Sequence, residues 1–254
     1  MSAVVHIGPG KTATTSIQSA LLPRLGRPFQ VKPAWSTALS KTPDFPRPDP
    51  LPADIIVSDE ALGNFGGSPP DAVAERLAWM FPKGTTVIYC SREPVARFLS
   101  LYRQVQINHL GVMRDALRAG QLKVYEPMSA DATFDIIKRK YETSGTGFLA
   151  TINEEKLRQT FEPNFHFVTV DFALLAQDEK AFVRSFCDAC GCHAEIELPK
   201  DNASSEITIG AALDALTEIA PVVSKIKSQW RRAYETATLS ADRQELIRAM
   251  AAAR

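Results

Sequence analysis

The chain lacks a net charge, since 29 lysines and arginines balance 29 aspartates and glutamates among 254 residues. It also lacks an apolar run of the roughly 20 residues that a membrane-spanning helix needs. Its first residues, MSAVVHIG, have neither the basic start nor the long apolar stretch of a signal peptide. Because the net charge is zero, the protein as a whole has no electrostatic field that would attract nucleic acid or a membrane surface. We expect a cytoplasmic protein with no transmembrane segment and no nucleic-acid partner.

Cysteine is scarce, and four residues do not suit the disulfide framework of a small secreted protein. Three of them, Cys187, Cys190 and Cys192, lie close together and are followed by His193. This group resembles one half of a zinc site, but it lacks the second, distant ligand pair that such sites use. We favour buried or surface thiols at a helix end and expect no metal.

Internal repeats and low-complexity linkers are also missing, so we expect one domain over residues 1–254. Short apolar runs predict strands over residues 4–7, 54–58, 85–91 and 165–171. Helical patterns are predicted over residues 14–22, 71–81, 94–110 and 179–189. Strands that alternate with helices predict a three-layer α/β fold with a central parallel sheet. A helical region is expected from about residue 205 to the end.

The segment HIGPGKTATTS (residues 6–16) ends the first predicted strand and contains the Gly-Lys-Thr of a nucleotide-binding P-loop. The complete loop needs a glycine where this chain has Val5. A glycine-rich turn that enters a helix still presents backbone N–H groups to an anion, and Lys11 adds a positive charge. Hydroxyl donors are supplied by Thr12, Thr14, Thr15 and Ser16. The alternative is a plain helix start that is capped by threonine and serine.

Basic residues are concentrated in two segments of this neutral chain. Residues 1–50 carry six basic and two acidic side chains, and residues 92–118 carry five arginines against two acids. This distribution predicts an anionic small ligand that is held from two sides. Parallel sheets bind ligands beyond the carboxyl ends of their strands, and Lys11, Glu60 and Arg92 each follow a predicted strand.

Residues 6–22 resemble the 5′-phosphosulfate loop of sulfotransferases that use 3′-phosphoadenosine 5′-phosphosulfate (PAPS). In that family a Lys-x-Gly-Thr-Thr-like run follows the first strand. Ala13 stands where the glycine is usual, and a positive φ there would strain the backbone. The resemblance covers residues 4–110 well and residues 165–191 passably.

A second segment, SREPVARFLSLYRQ, resembles the family's motif for the 3′-phosphate of the cofactor. In that motif an arginine at a strand end precedes a helix serine by eight residues, as Arg92 precedes Ser100. Its form, R-[DE]-P-x-x-R-F-x-S-x-Y, is common in bacterial and carbohydrate-type members. An arginine at a strand tip can chelate a phosphate with two hydrogen bonds, which agrees with this role.

The resemblance implies transfer of a sulfuryl group from PAPS to a hydroxyl of a small-molecule or carbohydrate acceptor. Family members use a histidine or glutamate base near the end of an early strand, and DIIVSDEAL offers Glu60 in the Ser-x-Glu form of the glutamate-using members. Asp59 and His109 are the alternatives for the base. Lys11 and Glu60 are the implied catalytic pair. The implied cofactor-binding residues are Gly10, Lys11, Thr12, Ala13, Thr14, Thr15, Ser16, Arg92 and Ser100.

Two other functions fit part of the pattern. A P-loop kinase with ATP and Mg²⁺ shares Gly-Lys-Thr but needs the missing glycine, and a non-catalytic nucleotide-binding protein would share the fold without turnover. Sulfuryl transfer needs less charge neutralisation than phosphoryl transfer, so no metal is expected. Arg97 and Arg103 either face the acceptor or, as we prefer, are solvated or paired with helix acids. Further candidates for the 3′-phosphate are Lys200, Asn202 and Ser204.

Overall fold

The computed structural model describes residues 2–45, 48–64, 67–121, 125–194, 196–198, 205–220 and 223–253, without the side chains of residues 64 and 205–208. Within this part of the chain, five parallel strands form one sheet in the order β2-β3-β1-β4-β5. The strands are β1 (Val4–His6), β2 (Phe29–Val31), β3 (Ile56–Ser58), β4 (Thr86–Ser91) and β5 (His166–Asp171).

Helices connect the strands and continue beyond the sheet. The first, α1, begins at Thr14–Ser16 and continues as a π turn over Ile17–Leu21 and a 3₁₀ turn over Leu22–Arg24. The next helices are α2 (Ala34–Leu39), α3 (Glu60–Asn64), α4 (Pro70–Met80), α5 (Pro94–Arg118) and α6 (Ala130–Ser144). A 3₁₀ turn over Phe148–Thr151 precedes α7 (Glu154–Phe161), α8 (Ala173–Gln177) and α9 (Glu179–Ala189). The last are α10 (Ser205–Ile219), α11 (Ser224–Glu235) and α12 (Ala241–Ala252).

The central strands are buried on both faces, which is why their sequences are short continuous apolar runs. Successive residues point to opposite faces, and Val5 and Val57 pack with α4 and α7 whereas Val4 and Ile56 pack with α1 and α9. The parallel register pairs Val5 with Val57 on one side and with Val87 on the other. The predicted three-layer α/β fold with a central parallel sheet is confirmed.

The strand order contains a change of direction beside β1. The chain leaves β1 for β2 and β3 on one side and then crosses to β4 and β5 on the other. Connections that leave neighbouring strands in opposite directions open a crevice at the carboxyl edge of the sheet. The loop after β1 and the loop after β4, which carry Lys11 and Arg92, border this crevice.

A helical layer lies beyond the sheet and packs on α5. Phe98 and Tyr102 of α5 contact α6 and α12, and Leu110 and Met113 contact α10 and Trp230 of α11. The predicted C-terminal helices are therefore present and are anchored on the same helix that follows Arg92. Among the described residues, no helix is both long and apolar enough to span a membrane.

The predicted strands and helices agree with the structure in position, with three differences. The strand β2 is missing from the prediction because FQV is short and lies at the edge of the sheet with two exposed apolar side chains, Phe29 and Val31. The helices α2, α3, α6, α7 and α8 are also missing from it. The helix predicted over 94–110 continues to Arg118.

Candidate functional site

The loop between β1 and α1 is folded tightly against the end of the sheet. Lys11 and Ala13 both have positive φ, 74° and 59°. Ala13 precedes α1 in the left-handed conformation, so the strain expected at an alanine in this position is present. Gly8 is required at the base of the loop, because a Cβ there would lie 2.5 Å from Nε2 of His6.

The hydroxyl groups of this loop do not all face the crevice. The Thr12 hydroxyl is buried and donates to the carbonyl oxygen of Pro9 at 2.6 Å. Thr14 and Ser16 are also buried, and only Thr15 is exposed. Of the four expected hydroxyl donors, Thr12 uses its hydroxyl to close the turn. The hydroxyl of Thr14 has no hydrogen-bond partner among the described residues.

Backbone donors lie at the start of α1. The N–H of Ile17 donates to the carbonyl oxygen of Ala13 at 3.0 Å, which places the preceding residues in the first turn of the helix. The N–H groups of a first turn point out of the helix end, where the helix dipole favours an anion. This end of α1 lies at the carboxyl edge of the sheet, beside Lys11.

Arg92 reaches the same loop from β4. Its Nη1 donates to the carbonyl oxygen of Lys11 at 2.8 Å, and its guanidinium lies over the ring of Phe172 with 4.7 Å to the centroid. Phe172 directly follows β5. The loops that follow β1 and β4 are thereby joined through two residues that are 81 apart in the chain. Ser100 lies two turns into α5 and is half-buried.

Asp59 and Glu60 have different surroundings at the end of β3. Asp59 is buried and accepts hydrogen bonds from the N–H of Ala61, at 2.8 Å, and from the hydroxyl of Ser36. Its carboxylate therefore caps the first turn of α3. Glu60 is half-buried and makes no hydrogen bond of this kind among the described residues. Of the two acids, Glu60 has the carboxylate that is available to a ligand.

The short helix that begins at Glu60 packs directly on the loop after β1. A Cβ at Gly63 would lie 2.1 Å from the carbonyl oxygen of Ile7 and 2.9 Å from the carbonyl carbon of Gly8. Only glycine allows this approach. The contact brings the start of α3 to the loop that carries Lys11.

Lys11, Glu60 and Arg92 interact electrostatically. Burial lowers the pKa of Lys11, the nearby Glu60 carboxylate raises it, and Arg92 lowers it again. Burial is also the main reason that the pKa of Arg92 is below its usual value. Lys11 is therefore close enough to both Glu60 and Arg92 for their charges to shift its pKa.

A buried polar network lies beneath the loop. Nδ1 of His6 is 2.8 Å from the hydroxyl of Ser58, and Nε2 is 3.5 Å from Sγ of Cys90. The side-chain amide of Gln18 donates to the hydroxyl and to the carbonyl oxygen of Ser58, both at 3.1 Å. Burial lowers the pKa of His6 to about 3, so its imidazole is neutral at physiological pH. The network ties β1, β3, β4 and α1 together at the end of the sheet.

The remaining predicted residues lie away from Glu60 or differ from expectation. The preferred interpretation of Arg97, solvated or paired with acids, is wrong, because it is 3% exposed and donates to the carbonyl oxygen and hydroxyl of Thr151. Arg103 contacts Tyr234 of α11. His109 lies on α5, about 22 Å along the helix axis from Pro94.

The cysteine group at the end of α9 consists of free thiols. Cys187 and Cys190 are buried, and Cys192 is half-buried. In the described part of the chain, no group of three or more potential ligands is arranged to hold a metal ion. Lys200, Asn202 and Ser204 lie outside the described residues.

Sequence reasoning missed several contributors to the site. Phe172, which stacks on Arg92, directly follows a predicted strand, and this position predicts that it lies at the carboxyl edge of the sheet. Asp59 immediately before a short apolar segment is a typical helix cap. The close approach of Gly63 and the burial of His6 against Ser58 have no signal in a single sequence, because both depend on contacts between distant segments.

Comparisons with known proteins give little further information. No family model matches the chain, and no curated protein matches it in sequence. Among solved structures, the chain is similar to a sulfotransferase from Alicyclobacillus acidocaldarius, with 13% sequence identity and a TM-score of 0.49. The match covers 96% of this chain and 99% of that chain. A similarity of this degree assigns neither an activity nor a ligand to this chain.

Proposed function

We propose that this protein is a PAPS-dependent sulfotransferase that acts on a hydroxyl acceptor, with Glu60 as general base. One observation carries the proposal, namely that Arg92 donates to the carbonyl oxygen of Lys11 while Glu60 and Lys11 interact through their charges. These two interactions support a site at the crevice between β1 and β4 in which Lys11, Arg92 and Glu60 act together. The proposal includes one domain, a cytoplasmic location and no metal requirement.

The residues present suit an adenosine nucleotide with phosphates at both ends. The first turn of α1 and Lys11 form an anion site for the 5′ end. Arg92 and Ser100 form a second anion site at the end of β4, for the 3′-phosphate. The buried hydroxyl of Thr14, which has no partner among the described residues, is the kind of group that a bound anion satisfies. Gly10, Thr12, Ala13, Thr15 and Ser16 complete the cofactor loop in this proposal.

In the proposed sulfuryl transfer, each of these residues has a separate role. PAPS, when bound, supplies the sulfuryl group. Glu60 accepts the proton of the acceptor hydroxyl, which a carboxylate without a cap role can do. Lys11 stabilises the negative charge that develops on the leaving side, and its partial burial strengthens that interaction. Asp59 holds the start of α3 and thereby orients Glu60.

Orientation contributes more to the rate than the base does. Holding two reactants in line can supply on the order of 7–11 kcal/mol at best, whereas general-base catalysis contributes about 10²–10⁴-fold. The acceptor is proposed to be a carbohydrate or a glycolipid, on the form of the motif around Arg92. The rigid contact between α3 and the loop after β1 is what aligns Glu60 with Lys11.

Ligand-dependent stability separates this function from its rivals. We expect adenosine 3′,5′-bisphosphate (3′,5′-ADP) to raise the melting temperature more than ADP or ATP, with or without Mg²⁺. At a hundredfold excess over its Kd, a ligand stabilises the folded state by about 2.7 kcal/mol. Stronger stabilisation by ATP with Mg²⁺ would identify a kinase. Sulfuryl transfer from radiolabelled PAPS to a panel of hydroxyl acceptors then tests turnover, and binding without turnover would identify a nucleotide-binding protein.

A further inference from the structure

Arg103 is a cation on α5 that has no carboxylate partner among the residues that the structure describes. Its Nε donates to the carbonyl oxygen of Tyr234 at 3.4 Å, and its guanidinium lies 6.0 Å from the centroid of that ring. Among the ion pairs of the described residues, none includes Arg103. The contacts with Tyr234 use Nε, and the two terminal amino groups of the guanidinium are left without a protein partner in the described part of the chain.

The position of Arg103 on α5 relates it to the proposed 3′-phosphate site. Ser100 and Arg103 are three residues apart, so their side chains are neighbours on the same face of the helix. Arg92 lies immediately before the helix, and the charge of Arg103 contributes, after burial, to the lowered pKa of Arg92. The two guanidiniums therefore share one region of the molecule.

Some other arginines of the chain lie between carboxylates, whereas Arg97 donates to uncharged oxygens. Arg158 lies between Glu154 and Glu162, and Arg243 lies between Asp131 and Asp135. Arg92, by contrast, has no carboxylate within ion-pair distance in the described residues and is instead held by a carbonyl oxygen and an aromatic ring. The charges of Arg92 and Arg103 repel each other, although the Glu93 carboxylate partly offsets this effect on the pKa of Arg92. An anion with more than one negative charge that binds between the two guanidiniums removes the repulsion.

We infer that Arg103 is a second cationic contact for the 3′-phosphate, acting together with Arg92 and Ser100. This inference rests on the proposed function. A phosphate monoester carries a charge of about −1.5 to −2 at pH 7, so a single guanidinium leaves it incompletely neutralised. Arg103 supplies the second positive charge, and its contact with Tyr234 holds the guanidinium in place.

Calorimetric titration with two nucleotides tests the inference. 3′,5′-ADP carries the 3′-phosphate and 5′-AMP does not, so the ratio of their Kd values measures recognition of that group. In Arg103→Gln we expect the Kd for 3′,5′-ADP to rise about 10- to 100-fold, as for loss of a charge-assisted contact, and the Kd for 5′-AMP to stay within about twofold. Arg103→Lys, which keeps the charge and the apolar stem, should lose less.

The control is Arg114→Gln, which removes an exposed arginine from the same helix. It should leave both Kd values unchanged. If Arg103→Gln weakens both nucleotides equally, or neither, Arg103 is a structural contact of α11 and the inference is wrong. If the wild-type protein itself does not prefer 3′,5′-ADP to 5′-AMP, the proposed function fails first and the inference fails with it.

Discussion

The replacement of Gly63 by alanine is a direct test of how the candidate site is assembled. The added Cβ would lie 2.1 Å from the carbonyl oxygen of Ile7, whereas real Cβ contacts are essentially never closer than 3.0 Å. The helix α3 or the loop after β1 must therefore move by at least 0.9 Å, the difference between these distances. Because Glu60 begins α3 and Lys11 lies on the loop, the movement changes their relative position.

The size of the effect follows from two opposing contributions. Alanine is favoured over glycine in a helix by about 0.5–1 kcal/mol, but a forced steric overlap in a packed region costs about 1–3 kcal/mol. We expect Gly63→Ala to lower the free energy of unfolding by about 1–2 kcal/mol, or roughly 2–8 °C in melting temperature for a chain of this size. A displacement near 1 Å also lowers kcat/KM about 10²-fold.

Gly111→Ala is the matched control for this experiment. Gly111 lies inside α5, and a Cβ there would meet no atom of other described segments within 4 Å. The control should gain about 0.5–1 kcal/mol and keep wild-type affinity for 3′,5′-ADP. Urea denaturation measures both stabilities, and calorimetry measures the affinities. Equal stability and equal kcat/KM for sulfuryl transfer in the two variants would show that the contact between α3 and the loop does not hold the site together.

Three further predictions address single residues. Glu60→Gln should lower kcat by about 10²–10⁴-fold while the Kd for 3′,5′-ADP stays the same or falls, because a negative charge near Lys11 is lost; unchanged kcat would remove Glu60 as the base. His6 has a pKa near 3 when folded and 6.5 when unfolded, so protons bind the unfolded state first and stability falls as the pH drops below about 6.5. From pH 7 to pH 5 this contributes a loss of about 2 kcal/mol, measured by denaturation, which His6→Asn should lack. Thr14→Val should raise stability by about 1 kcal/mol, since it removes a buried hydroxyl that has no partner among the described residues, and should weaken nucleotide binding. Unchanged or stronger binding would show that the hydroxyl does not serve a ligand.

The parallel sheet was predictable because each central strand is a run of apolar residues between helical patterns. Val4–His6, Ile56–Ser58 and Thr86–Ser91 are buried on both faces, and burial of that kind leaves a clear signal in sequence. The edge strand Phe29–Val31 gave no such signal, because it pairs with β3 on one side only and exposes its side chains. Topology also explains why Lys11 and Arg92 could be expected to meet, since both follow strands that border the same crevice.

The parts of the site that could not be predicted depend on tertiary contacts. The sequence favours Glu60 as the base and leaves Asp59 as an alternative, and the hydrogen bond from the N–H of Ala61 identifies Asp59 as a helix cap. Arg97 looks like a surface residue of a helix, yet it is buried because the 3₁₀ turn that contains Thr151 packs over it. A local hydrogen bond decides the role of Asp59, and a partner that is distant in the chain decides that of Arg97.

Backbone strain gives a separate reason to regard this edge of the sheet as functional. Among the described residues other than glycine, positive φ occurs at Lys11, Ala13 and Lys32, and all three follow a strand at its carboxyl end. The left-handed conformation costs an alanine roughly 1–2 kcal/mol, and Ala13 recovers part of that cost because its methyl group is buried with Ile17 and Leu21. Strain that survives in a folded protein is concentrated at ligand sites, where the surrounding contacts impose it. Here Gly8 and Gly63 allow those contacts and the Thr12 hydroxyl closes the turn, so the shape of the loop is imposed both by packing and by its own hydrogen bond.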